Sequence, residues 1–177
     1  MTNPYNNITQ HVITVMVEDK PGVLARISSM FARRGFNIHS LAVGPTVDPR
    51  LSRMTVVADG PEMEQIIKQL YKLVNTVKVT EHRPGAAIER EIMLVRINAD
   101  PKRRSEILDG AGIFEARAVD VGKSTITFEL SGDPGRLGDF LELMRPYGIV
   151  DLVKSGRIAL ARDPKSRNGQ QSELRSA

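Results

Sequence analysis

Cysteine and tryptophan are missing from these 177 residues, and aromatics of every kind amount to 5%. Without thiols there is no disulfide and no Cys-based zinc or iron–sulfur site, and nothing argues for an oxidising compartment. No apolar run approaches the ~20 residues that span a bilayer. The opening MTNPYNNITQ has neither the basic nor the apolar region of a secretory signal, so the cytoplasm is the expected location. Charge of one sign is thin as well. The net +4 is spread along the chain, with 9 basic and 7 acidic residues over 1–82, 13 and 12 over 83–162, and 3 and 2 beyond. Lys102-Arg103-Arg104 is the one tight basic cluster, and Glu106 and Asp109 follow it, as on a solvated helix face. Nucleic-acid binders gather their cations on one face, so no nucleic-acid partner is expected, and no membrane either.

What is present is a soluble globular composition, 41% hydrophobic and 26% charged. VITVMV (residues 12–17) is a β-branched strand signal. Val23, Leu24, Ile27, Met30 and Phe31 then fall at helical spacing, stopped by Arg33, Arg34 and Gly35. Residues 38–43 and 54–58 read as strands, Pro61 opens a helix with Met63, Ile66, Ile67, Leu70 and Val74 on one face, and residues 77–80 close the unit. After the linker-like RPGAA the same order returns. It has a strand at 92–97, a helix at 101–108, strands at 113–121 and 124–130, a helix at 134–145 and a strand at 149–153 that 157–161 could continue.

The fold class expected is therefore α+β, two tandem ferredoxin-like βαββαβ sandwiches, each with two helices on one sheet face. The boundaries are a tail at 1–10, a first domain at 11–82, a linker at 83–90, a second domain at 91–162 and a disordered polar tail at 163–177. Apolar residues on both faces of VITVMV call for a cover over the open face, most simply a second copy of the chain.

Catalytic apparatus is not found. His11, His39 and His82 stand at strand positions without metal-ligand spacing and read as surface residues. Ser28-Ser29 lie within a helix, not on a nucleophile elbow, and no phosphate-binding glycine motif occurs. RNA recognition by such a sheet needs aromatics on the central strands, and SRMTVVA has none. Attention passes to the first strand–helix junction, VEDKPGVLARI. Pro21 suits the first helical position, and the amides of Gly22, Val23 and Leu24 would be free donors at the positive end of the helix dipole. Asp19 could hold an ammonium group beside a carboxylate on those amides. Equally, Asp19 could cap the helix and Gly22 relax a turn.

DKPGVLARI, followed by RRGFNIHSLAVGPT, DPRLSRMTVV, KQLYKLVNTVKV and EREIMLVRI, resembles the ACT-domain family and, more narrowly, the small regulatory subunits of acetolactate synthase. The resemblance runs from about Val12 to about Ala161. It implies a homodimer binding a branched-chain amino acid, valine first and leucine or isoleucine as alternatives, between paired ACT domains. Asp19, Gly22, Val23 and Leu24 of one chain would meet Asn37 and Ile38 of the other. It also implies no cofactor on this chain, with thiamine diphosphate, Mg²⁺ and FAD on a large catalytic subunit that this chain activates and makes subject to feedback inhibition. Arg53 and Met54 in LSRMTVV are candidates to contact that partner or transmit the signal; equally, LSRMTVV reads as a plain sheet strand with one exposed arginine. The rival is a stand-alone ACT-type regulator with no acetolactate synthase partner, against which EREIMLV and the second half argue.

Overall fold

A computed structural model describes residues 10–59 and 63–163. The chain forms two compact units, Met1–Ile88 together with Ala159–Ala177, and Glu89–Ile158. The first unit runs β1 (His11–Glu18), α1 (Val23–Arg33), β2 (Asn37–Pro45), β3 (Leu51–Asp59), α2 (Met63–Leu70) and β4 (Thr76–His82). Its sheet is antiparallel in the order β2-β3-β1-β4, so β2 and β4 are edges.

Strand alternation decides what is inside. Ile13, Val15 and Val17 of β1, with Met54, Val56 and Ala58 of β3, point to one face. There they meet Val23, Ile27, Met30 and Phe31 of α1 and Met63, Ile66 and Leu70 of α2. Val74 is not on the α2 stripe. The helix ends at Leu70, and Val74 is exposed in the turn that follows. The expected Pro61 helix start lies outside the described residues. On the opposite face, Val12 and Val57 are covered by Ala87 and Ala159 of the same chain. The cover expected there from a second copy is thus supplied in part by the chain itself.

The second unit's sheet comprises β5 (Ala87–Asn98), β6 (Arg117–Val121), β7 (Thr125–Gly132) and β8 (Ile149–Lys154) in the order β6-β7-β5-β8. Residues 158–161 do not prolong β8. They form a separate strand, β9 (Ile158–Ala161), paired with β5. The helices are α3 (Arg104–Ile113) and α4 (Pro134–Met144). Met93, Val95 and Ile97 of β5 pack with Ile126, Phe128 and Leu130 of β7 beneath Ile107, Leu137 and Phe140.

α3 starts later and ends later than residues 101–108, passing through Gly110 and Gly112. Gly110 is accommodated because α4 lies against it: a Cβ there would stand 3.3 Å from Leu143 Cδ2. The chain then turns through Glu115, whose φ is +52°, so β6 begins at Arg117 rather than at residue 113.

α4 has the N-terminus its sequence spells out. Asp133 Oδ1 accepts from the Arg136 N–H at 3.1 Å, and Pro134 occupies the first turn. That backbone hydrogen bond holds the Asp133 carboxyl below its ordinary range. A carboxyl more acidic in the folded chain adds stability above its unfolded pKa, and that stability is lost as pH falls through the folded value. Asp133→Ala should cost about 1 kcal/mol at neutral pH, and the deficit should shrink on acidification. Urea unfolding of both proteins at two pH values measures it.

Candidate functional site

The junction after β1 is held by the main chain. The Asp19 N–H donates to the Arg50 C=O at 2.8 Å, and the Lys20 N–H to the Glu18 C=O at 3.0 Å. Pro21 is not the first helical residue: Gly22 is the N-cap, at φ +82° and ψ −7°, and α1 starts at Val23. This left-handed conformation is one that residues with a Cβ rarely adopt. No side chain caps α1, so Asp19 does not serve as its cap.

The first helical bond is Arg26 N–H to Gly22 C=O at 3.1 Å, and the Val23 N–H makes only a long contact of 3.4 Å to the Lys20 C=O. Among the described residues the amides of Gly22, Leu24 and Ala25 have no acceptor. No atom lies within 4 Å of where a Gly22 Cβ would stand. The result is an open, positively polarised helix end beside the exposed carboxylate of Asp19. Val23 sends its side chain into the core, 5% exposed, so only its main chain is on offer here. Leu24, 41% exposed, presents its side chain outward.

Asn75 also belongs to this junction. Its Nδ2 donates to Glu18 Oε2 at 2.6 Å, while its Oδ1 accepts from Arg26 Nη1 at 3.2 Å. Lys20 Nζ reaches the same Glu18 oxygen at 2.9 Å. These hydrogen bonds, that from Lys20 foremost, hold the Glu18 carboxyl below its ordinary range. They fasten the end of β1 to the turn before β4. In the neighbouring hairpin the Arg50 guanidinium brings the Asp48 carboxyl down to about 2.

Asn37 and Ile38 open the edge strand β2. Asn37 is exposed, and Ile38 is half-buried against the first core. Asn37 pairs with Asp59, at the level where β1 begins, whereas Gly22 follows the end of β1. At about 3.3 Å per residue the seven steps of β1 separate those levels by roughly 23 Å. One chain therefore does not bring Asn37 and Ile38 to Asp19, Gly22, Val23 and Leu24. The two groups occupy opposite ends of one sheet.

Arg53 and Met54 point to opposite faces of β3. Met54 is 3% exposed within the core, and it cannot touch a partner subunit directly. Arg53 faces the other way, its Nη2 at 3.9 Å from Met16 Sδ. Together with Pro45, Val47 and Leu51 these two side chains line a groove of about 290 Å³.

The histidines are tied rather than free. His11 Nδ1 lies 2.7 Å from Glu81 Oε1, and His39 Nε2 lies 2.8 Å from Asp59 Oδ2. His82 is buried, with Nε2 3.0 Å from Thr14 Oγ1, and is not the surface residue expected. Among the described residues no cluster of three metal-ligating side chains occurs, and no helix is long and apolar enough to cross a membrane.

The fold defines both units as ferredoxin-like βαββαβ sandwiches of the ACT type, the second inserted between two segments of the first. Residues 13–78 match the model of the AHAS small subunit-like ACT domain, and residues 90–163 match that of the small subunit of acetolactate synthase. A probable acetolactate synthase small subunit of Archaeoglobus fulgidus is 48% identical over 158 residues, covering 88% of this chain and 99% of that protein. The acetolactate synthase small subunit of Mycolicibacterium smegmatis is 44% identical over 163 residues, covering 90% and 95%. Among solved structures, the acetolactate synthase small subunit of Thermotoga maritima superposes with a TM-score of 0.79 at 34% identity, covering 88% of this chain and 99% of that one. The chain belongs to the family of acetolactate synthase small, regulatory subunits.

Proposed function

We propose that two copies of this chain pair through their β2 edges and bind a branched-chain amino acid, valine first, at each end of the joint. The observation that carries this reading is the separation of the two half-sites along one sheet, with Asn37 at the open edge. An antiparallel β2–β2 pairing about a two-fold axis sets the Asn37 end of one copy beside the hairpin end of the other. Asp19 is bonded to Arg50 at that hairpin end, and Gly22 is three residues on. The ligand's carboxylate takes the Gly22 and Leu24 amides, and its ammonium takes Asp19 and the side chain of Asn37. Its aliphatic group rests between Leu24 and Ile38.

The chain serves as the non-catalytic partner of a large acetolactate synthase subunit, which carries thiamine diphosphate, Mg²⁺ and FAD. It stimulates that subunit, and the bound amino acid withdraws the stimulation. A ligand can do this only by favouring one arrangement of the paired units over another. Arg53, on the sheet face away from the helices, is the residue we assign to transmission. The test is acetolactate formation by the large subunit, with and without this chain, across a valine titration. Stimulation that valine reverses is expected. Absence of both effects overturns the reading, and valine binding without stimulation favours a stand-alone amino-acid-binding regulator.

A further inference from the structure

We infer that the helix face of the first unit grips the large catalytic subunit, through a basic groove between α1 and the end of α2 that takes an acidic helix of that partner. This rests on the reading above that the chain stimulates such a subunit. The groove has a volume of about 430 Å³. Arg26 and Arg33 line it from α1, Arg34 from the C-cap of that helix, and Lys72 from the turn after α2. No carboxylate lines it. The buried Met30 and the half-buried Leu73 add an apolar strip.

The fold alone does not call for these cations. A helix C-terminus favours positive charge, which covers Arg33 and Arg34, and Arg34 Nη1 reaches the Met30 C=O at 3.5 Å. Arg26 is the fourth residue of α1, near the end where the dipole disfavours a cation, and Lys72 lies outside both helices. Arg26 bonds the neutral side chain of Asn75. Among the described residues none of the four pairs with a carboxylate, and α1 itself contains no acidic residue. On another face of α2, by contrast, Lys68 is paired with Glu64. Four cations gathered without a counter-charge repel one another, and an acidic partner relieves that repulsion.

Spacing selects the kind of partner. Arg26 and Arg33 are seven residues apart, roughly 10 Å along α1 at about 1.5 Å per residue. One phosphate or carboxylate does not span that distance. Carboxylates at every third or fourth position of a helix do, and a recess between two helices receives the ridge of a third. The occupant is therefore an amphipathic helix whose Asp or Glu side chains flank an apolar residue that meets Met30 and Leu73. The amides of Gly22 and Leu24 stand at the N-terminus of the same α1. Effector and catalytic partner thus bear on one helix.

The test is acetolactate formation by the cognate large subunit, measured against the concentration of this chain. Arg33→Glu combined with Lys72→Glu should raise the half-stimulating concentration at least about tenfold, while valine affinity of the free chain, by calorimetry, stays within about twofold. Arg33→Gln with Lys72→Gln should lose less and respond less to added NaCl than the wild type. Lys102→Glu with Lys123→Glu makes the same change in net charge at exposed sites of the second unit and should leave stimulation unaltered. Wild-type stimulation by both groove variants, or an equal loss in the Lys102 and Lys123 control, would overturn the inference while leaving the regulatory reading intact. A matching loss of valine affinity would assign the effect to a disturbed α1 and reject the groove. Groove variants that stimulate normally but lose the tripolyphosphate binding of the wild type would mark a small-anion site, and the inference would again fail. If the wild-type chain stimulates nothing, the reading above falls and the inference with it. Should the glutamate pair fail to fold, the glutamine pair and its salt dependence still decide.

Discussion

Gly22→Asp should leave the subunit folded and insensitive to valine, with affinity reduced at least about 100-fold. Two effects separate at this position. The first is conformational: at φ +82° a side chain is strained even though no atom crowds it. That penalty is roughly 1–2 kcal/mol for an ordinary residue and smaller for Asp or Asn, which visit this region more readily. The second is electrostatic. The new carboxylate stands beside amides that have no acceptor among the described residues. It occupies the position the ligand's carboxylate needs and repels it as a like charge. Charge-assisted hydrogen bonds contribute about 1.5–3 kcal/mol each, so losing two accounts for the expected factor. Gly22→Ala carries the strain without the charge and should weaken binding about tenfold or less. Calorimetry on both variants, together with valine inhibition of the reconstituted enzyme, makes the comparison. Equal losses in the two would assign the effect to the backbone and reject the anion site.

Phe140→Ala should destabilise the second unit by about 3–5 kcal/mol. Phe140 is fully buried and meets Phe114 and Phe128 edge-on, at centroid distances of 5.5 Å and 6.0 Å. Removing it deletes the ring's transfer energy, leaves a cavity and breaks both aromatic contacts at once. A domain holds only about 5–15 kcal/mol in total, so the loss is a large share. The two main cores have no residue in common. Hydrogen exchange should accordingly accelerate in β5, β7 and α4 and remain slow in β1 and β3. A change spread evenly over both units would mean that they unfold as one.

Much of the architecture is legible along the chain because local pattern and final environment agree. VITVMV, the α1 stripe and Asp133-Pro134-Gly135 each need only near neighbours to be read. The helix expected at 101–108 has a weak apolar face and runs instead from Arg104 to Ile113, its extension through Gly110 lying against Leu143. Met54 could have been excluded as a contact residue by alternation from Val56, which shares its face. The Glu18–Asn75 bond joins residues 57 apart, and the His39–Asp59 contact depends on a bulge. No spacing rule reaches either of these. The effector residues we propose are reached through family resemblance alone, since in that reading half of the pocket comes from another chain.

The covering of Val12 and Val57 by Ala87 and Ala159 has a topological consequence. The chain leaves the first unit just after Ala87 and returns to it at Ala159, which makes the second unit an insertion rather than an appendage. A fragment ending at His82 would lose both alanines, bare two valines and be prone to aggregate. An inserted body is anchored at both ends, and closing that loop costs entropy once, on folding.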